Sequence, residues 1–163
     1  MNWVEACRDR QLADLPYKIE LDKMGKIIMS PATKKHSLLQ GRISRLLNGL
    51  LPSGDALPEC AVETAEGTKA ADVAWISRAR WASMSPEEAS CSVAPEICIE
   101  ILSPTNPPAE MLGAPEHPGK RELYFGAGAL EFWMCDEAGN VTFYDPAGQL
   151  PKSKLCPSFP NKV

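Results

Sequence analysis

The chain has 163 residues, a length that allows one compact domain and excludes two full catalytic domains. With 44% hydrophobic and 23% charged residues, it fits neither a disordered tail nor a fibrous repeat. The net charge of −4 argues against a protein that coats nucleic acid with its whole surface. Residues 18–45, however, hold seven Lys and Arg against Glu20 and Asp22, a local +5 that leaves −9 elsewhere, so a local basic face remains open.

The first ten residues include Glu5, Arg8, Asp9 and Arg10 with no apolar run, unlike a secretory signal. No apolar stretch approaches the roughly 20 residues of a membrane span. The expectation is a cytoplasmic protein with no membrane partner. The six cysteines are scattered without a CxxC pair, so they suggest neither a zinc cluster nor a disulfide framework and read as buried free thiols.

Taken along the chain, residues 3–15 read as a helix stopped by Pro16. Residues 18–21 and 26–29 flank Asp22-Lys-Met-Gly25 and predict a hairpin. From His36 to Leu51 the period changes to that of a helix, with Leu39, Ile43, Leu46 and Leu50 on one stripe and Leu38 and Leu47 beside it. Two strands follow, Glu59 to Ala65 and Lys69 to Ile76, and pair as antiparallel neighbours. Residues 78–95 read as a loop with one helical turn at Ser85-Pro86. Ile97 to Leu102 is a dense β-branched run typical of a central strand covered on both faces. Five prolines between residues 104 and 118 predict an extended loop, and Gly119 to Phe125 a short helix with Lys120 and Tyr124 on one face. Leu130 to Cys135 and Val141 to Tyr144 form a second hairpin, and the segment past Pro146 has no pattern. This order predicts a single domain over residues 1–163, of the α/β (α+β) class, with a mixed sheet flanked by few helices.

The most informative feature is a carboxylate inside an apolar strand. Alternation puts Ile97, Ile99 and Ile101 on one face and Glu100 with Cys98 and Leu102 on the other. Asp72 repeats the situation within Ala70-Ala-Asp-Val-Ala-Trp-Ile76. A buried carboxylate needs a cation, a donor or a metal. Either one alone is explained by backbone hydrogen bonds or an ion pair. Two on neighbouring strands would offer hard oxygen ligands for Mg²⁺ or Mn²⁺. There is no GxSxG elbow and no phosphate-binding glycine loop.

These residues, with Glu20-Leu21 and Gly25, Met29-Ser30-Pro31, His36, Ala71-Asp72-Val73-Ala74, Glu100-Ile-Leu-Ser-Pro104, Lys120 with Leu123-Tyr124, and Gly128 leading to Glu131-Phe132-Trp133 and Asp136, resemble the Uma family. That family of restriction endonuclease-like proteins is a branch of the PD-(D/E)XK phosphodiesterase superfamily. The resemblance covers roughly Ile19 to Pro146. It implies a restriction endonuclease-like mixed sheet, with Asp72 and Glu100 as metal ligands and the main-chain carbonyl of Ile101 as a third. The superfamily lysine two residues after the Glu is Leu102 here, and Lys120 matches the position from which this family takes its lysine. Ala71 stands where a proline usually precedes the Asp.

The resemblance further implies Mg²⁺ (or Mn²⁺) binding a phosphate oxygen and lowering the pKa of a bound water, and Lys120 stabilising phosphate charge or orienting that water. His36 and Gln40, one turn apart, are additional candidates at the cleft. Glu63 reads equally as a further ligand or as a cross-strand partner of a lysine. The expected function is metal-dependent hydrolysis of phosphodiester bonds, in DNA, by a homodimer. The alternative is a non-catalytic nucleic-acid-binding or protein-interaction module on the same fold.

Overall fold

The computed structural model describes residues 1–104 and 106–163. Its elements in chain order are α1 (Trp3–Arg8), β1 (Tyr17–Leu21), β2 (Ile27–Pro31), α2 (Lys34–Leu50), β3 (Gly54–Thr64), β4 (Gly67–Ser77), α3 (Arg78–Ser83), β5 (Ile97–Ile101), α4 (Pro108–Leu112), α5 (Lys120–Gly126), β6 (Glu131–Cys135), β7 (Val141–Asp145) and β8 (Gly148–Leu150). Strands β3 to β8 form one sheet in sequence order, antiparallel except for the parallel β5–β6 pair. A parallel pair needs a long crossover, and the segment carrying α4 and α5 supplies it. Strands β1 and β2 make a separate antiparallel ribbon. The mixed sheet with few helices is the architecture read from the sequence. Among the described residues, no helix is long and apolar enough to cross a membrane.

The sheet is covered on both faces, which is why β5 reads as an uninterrupted apolar run. Ile97, Ile99 and Ile101 pack with Val73, Trp75 and Trp133 against Leu39, Ile43 and Leu47 of α2. On the opposite face Cys98, Phe132 and Tyr144 pack against Met111 of α4 and Tyr124 of α5. The buried stripe of α2 is narrower than its sequence pattern suggests, because Leu38 and Leu50 are exposed.

Several local readings change for identifiable reasons. The first helix ends at Arg8 instead of reaching residue 15, because the Asp9 carboxylate accepts the Gln11 N–H at 2.8 Å and offers the backbone a turn in place of a further helical bond. Strand β3 begins at Gly54, five residues early; it is the sheet edge, where the missing N–H of Pro58 is tolerated. Residues 78–83 are helical because Ser77 caps them, its Oγ accepting from the Arg80 N–H. The proline-rich segment contains α4, with Pro108 at the first helical position, where its fixed φ and missing N–H are no handicap. Gly113, at φ +77°, then turns the chain so that it meets Gly119 backbone to backbone, which sets Lys120 at the start of α5. Five of the six cysteines are buried and Cys7 is exposed.

The patternless C-terminal segment is tied down by another buried carboxylate. Glu131, 2% exposed, accepts from Trp133 Nε1 (2.7 Å), Ser153 Oγ (2.7 Å) and the backbone N–H groups of Lys154 (2.7 Å) and Leu155 (2.9 Å), and Phe159 docks into the α2-side core. Replacing Glu131 by Ala strands these donors in a buried site. The expected result is a loss of about 2–4 kcal/mol in urea unfolding together with faster proteolysis near residue 152. A variant within about 0.5 kcal/mol of wild type would show that the segment is held by its apolar contacts instead.

Candidate active site

Strands β4 and β5 pair only from Val73↔Ile99 to Trp75↔Ile97, and beyond that point they part. The register places Asp72 and Glu100 as the first residues of the fork. Because β4 has moved away, the Ile101 N–H has no ladder partner on that side, and Asp72 Oδ2 accepts it at 2.7 Å. Each carboxylate is essentially sealed from solvent, Asp72 at 1% and Glu100 at 0% exposure. Burial of this kind costs several kcal/mol per ion unless partners are supplied.

The β1–β2 ribbon and α5 supply them. Lys18 Nζ lies 2.7 Å from Asp72 Oδ1, 3.1 Å from Glu100 Oε2 and 3.8 Å from Glu20 Oε1. Lys120 Nζ lies 2.6 Å from Glu20 Oε1 and 3.2 Å from Glu100 Oε1. The Tyr124 hydroxyl, one turn after Lys120, donates to Glu100 Oε1 at 2.7 Å. Glu20 also accepts the Ala70 N–H at 2.9 Å, and Lys69 Nζ donates to the Leu21 carbonyl at 3.2 Å; these two bonds fasten the ribbon to β4. Three carboxylates and two ammonium groups thus share one buried cluster.

Helix α2 closes the other side. Thr33 caps it, with Oγ1 accepting from the His36 N–H, and the first turn then sets His36 Nε2 3.2 Å from Asp72 Oδ2. His36 Nδ1 is buried and has no hydrogen-bond partner among the described residues. One turn on, Gln40 Nε2 donates to the Asp72 carbonyl (2.8 Å) and to Glu59 Oε1 (2.9 Å). Glu59 itself sits opposite Asp72 at φ +49°, where the β3–β4 pairing is interrupted between Pro58↔Val73 and Cys60↔Ala71. A left-handed non-glycine residue costs on the order of 1–3 kcal/mol, and such strain collects at functional sites. A cavity of about 250 Å³ opens onto the cluster between Lys18, Ser30, His36, Asp72, Asn106 and Lys120, with His117 exposed at its rim.

The electrostatics follow from burial and pairing. Burial opposes the charge on Lys18, but Glu100, Asp72 and Glu20 together hold its pKa well above that of a free lysine. Burial likewise disfavours ionised Asp72 and Glu20, and the lysines, joined at Asp72 by His36, overcome it and hold both carboxyls below their ordinary values. Glu100 is different. Complete burial outweighs Lys120 and Lys18, and its pKa is pushed up to about 7. The hydrogen bond to Asp72 raises that of His36.

Asp72, Glu100, Lys120, His36 and Gln40, singled out from sequence, therefore come together. Glu63 does not join them: its carboxylate accepts from Ser90 Oγ at 2.8 Å, at the far end of β3. The Ile101 carbonyl accepts from Asn106 Nδ2 at 3.4 Å, while its N–H serves Asp72. Lys18, Glu20, Tyr124 and Glu59 were not among the candidates. In Lys18-Ile-Glu-Leu21 the alternation that puts Lys18 and Glu20 on one face reads as the solvent side of a hairpin, and only docking of the ribbon on β4 buries it.

Asp72 and Glu100 offer hard oxygen donors of the type a divalent cation prefers, and the Lys18 ammonium lies between them. No group of three or more His, Cys, Asp and Glu among the described residues is placed to hold a metal ion by itself. Mg²⁺ usually takes only one or two carboxylates and completes its shell with water and phosphate.

The raised Glu100 pKa has a stability consequence. The folded state holds the Glu100 proton more tightly than the unfolded chain, so its contribution is present below the ordinary carboxylate pKa and is lost as pH rises through about 7. His36 acts in the same direction, whereas Asp72 and Glu20 lose stabilisation only in acid. Chelator-treated protein should lose on the order of 2–3 kcal/mol of stability between about pH 5 and pH 8, and Glu100→Gln should flatten most of that slope. Thermal melts across this range check it, and parallel profiles for the two proteins would assign the titration to another group.

Comparison with known proteins supports the same fold. The family described as Uma2, putative restriction endonuclease, matches residues 9–158. Among solved structures, the chain is similar to a protein from Anabaena variabilis ATCC 29413 described as a putative nuclease belonging to DUF820. The TM-score is 0.63 at 20% sequence identity, over 88% of this chain and 86% of that one, a likeness that shows the fold alone. No curated protein matches the chain. The match over most of its length shows that this chain belongs to the Uma2 family.

Proposed function

We propose that this protein is a divalent-metal-dependent nuclease that hydrolyses phosphodiester bonds in DNA. In this reading Asp72 and Glu100, with the Ile101 carbonyl, hold Mg²⁺ or Mn²⁺. The observation that carries it is the fork between β4 and β5, which sets two buried carboxylates side by side: Asp72 lines the cavity together with Lys120 of α5, and Glu100 is bonded to that same lysine. When bound, the ion supplies charge to a phosphate oxygen and lowers the pKa of a coordinated water.

The chain's own residues perform the rest. The Ile101 N–H and His36 fix one oxygen of Asp72, and the Tyr124 hydroxyl fixes one oxygen of Glu100, so both carboxylates are oriented before anything binds. Lys120, anchored by Glu20, holds a positive charge beside the position of the phosphate. The burial of the cluster strengthens each of these interactions. A homodimer with one site for each strand is the assembly this reading expects on duplex DNA, and the free thiols suit a reducing, cytoplasmic compartment.

A second reading, a nucleic-acid-binding module without catalysis, is favoured by α2. Its Lys34, Lys35, Arg42 and Arg45 are exposed and no acidic residue lies within it, although the chain as a whole is acidic. That face begins at the rim of the cavity and suits a phosphate backbone in either reading.

The deciding experiment incubates supercoiled and linear DNA with Mg²⁺ or Mn²⁺ and compares wild type with Asp72→Asn and Glu100→Gln, variants that keep side-chain shape. Cleavage by wild type that falls to background in both variants is the expected result. Cleavage that survives both substitutions would move the chemistry elsewhere. DNA affinity that falls steeply with salt, without any cleavage by wild type, would establish the binding module.

A further inference from the structure

The group that stands between the two expected metal ligands is Lys18. Its ammonium touches Asp72 Oδ1 and Glu100 Oε2 at 2.7 and 3.1 Å, with its side chain 9% exposed. Asp72 and Glu100 would hold a divalent ion through these same two oxygens. Ammonium and ion cannot share them. We propose that Lys18 is a built-in competitor for the divalent cation, so that the ion enters only when Lys18 is drawn off the carboxylates, and that a phosphodiester in the cavity is what draws it. The inference rests on the reading of Asp72 and Glu100 as metal ligands and assigns a role to a residue which that reading leaves out.

Three observations carry it. First, charge: with Lys18 and Lys120 in place, three carboxylates face two cations, and much of the attraction for a divalent ion is already spent. Second, reach: the Lys18 ammonium ends a flexible four-carbon stem and can swing without moving the backbone, whereas Asp72 and Glu100 are short of that freedom on the central strands. Third, a destination: Lys18 lines the open cavity beside Ser30 and His36, where a phosphate oxygen would offer the ammonium a new partner in exchange for the carboxylates. Competition of this kind couples the two ligands reciprocally, so each raises the affinity for the other. Lys18 is thereby a positioning residue that decides when the ion is bound. Lys120, paired with Glu20 at 2.6 Å, stays at its post.

The test is Mn²⁺ binding to the full chain, followed by the electron paramagnetic resonance signal of free Mn²⁺ and by isothermal calorimetry. Without DNA, Lys18→Met should bind Mn²⁺ at least about tenfold more tightly than wild type, equivalent to about 1.4 kcal/mol. Metal-free Lys18→Met should melt below wild type, because two buried carboxylates lose a partner, and Mn²⁺ should raise its melting temperature more than it raises that of wild type. Lys18→Gln serves the same comparison if the Met variant does not fold. A short single-stranded oligonucleotide, shown intact on a gel after the measurement, should tighten Mn²⁺ binding by wild type and narrow the gap to the variant. Equal or weaker Mn²⁺ binding by the variant, with wild type binding normally, would overturn the role of Lys18 and leave the metal ligands standing. If neither protein binds Mn²⁺, the competitor and the assignment of Asp72 and Glu100 as its ligands fall together.

Discussion

The parting of β4 from β5 at Asp72 is the constraint on which the rest of this molecule depends. One ladder position is given up, and the Asp72 carboxylate takes over the orphaned Ile101 N–H. That substitution keeps the fork from being an unsatisfied gap in a buried sheet. It also fixes the carboxylate to the backbone of the neighbouring strand, so the separation of Asp72 from Glu100 is set by the sheet and does not rely on side-chain rotamers. Pairing is interrupted on the outer side too. Glu59 leaves the ladder opposite Asp72, and Gln40 of α2 bonds the Asp72 carbonyl instead. Asp72 is therefore held through both its side chain and its main chain by elements from three parts of the sequence.

Burying three carboxylates at this fork is sustainable only because the cations arrive from elements distant in sequence. Lys18 reaches across 54 residues to Asp72, and Lys120 reaches across 100 to Glu20. Removing either cation would leave a buried, uncompensated charge, a far larger penalty than the modest net value of a satisfied pair. The cluster thus ties the β1–β2 ribbon, the central strands and α5 to one another, and its stability and its chemistry are the same set of interactions. Glu131 makes the contrast plain. It is also a buried carboxylate, but its donors are an indole, a hydroxyl and two backbone amides, no cation among the described residues pairs with it, and it serves to dock the C-terminal segment.

The distribution of charge outside the cluster fits this division of labour. The exposed side of α2 is purely basic within an acidic protein, and the helix begins beside the cavity. A polyanion laid along it would be guided toward the fork.

The central strands, their faces and the two buried carboxylates were legible in the sequence, because alternation and β-branched runs act over a few residues and leave their mark there. Lys120 with Tyr124 followed from helical spacing in the same way. Other features only the tertiary structure decided. Whether Glu100 faces a metal, a backbone amide or an ammonium depends on which elements dock over it, and Lys18 and Glu20 lie on a hairpin whose buried side is chosen by its docking on β4, β5 and α5. Glu63, on a strand as convincing as that of Asp72, points to Ser90 because it lies at the hairpin's far end. The short helix α4 and the long edge of β3 escaped for a related reason: proline acquires its positional meaning from being first in a helix or outermost in a sheet, and neither place is visible before the chain has folded. Local periodicity thus determined which residues are buried together along each strand, while long-range docking decided which charges meet.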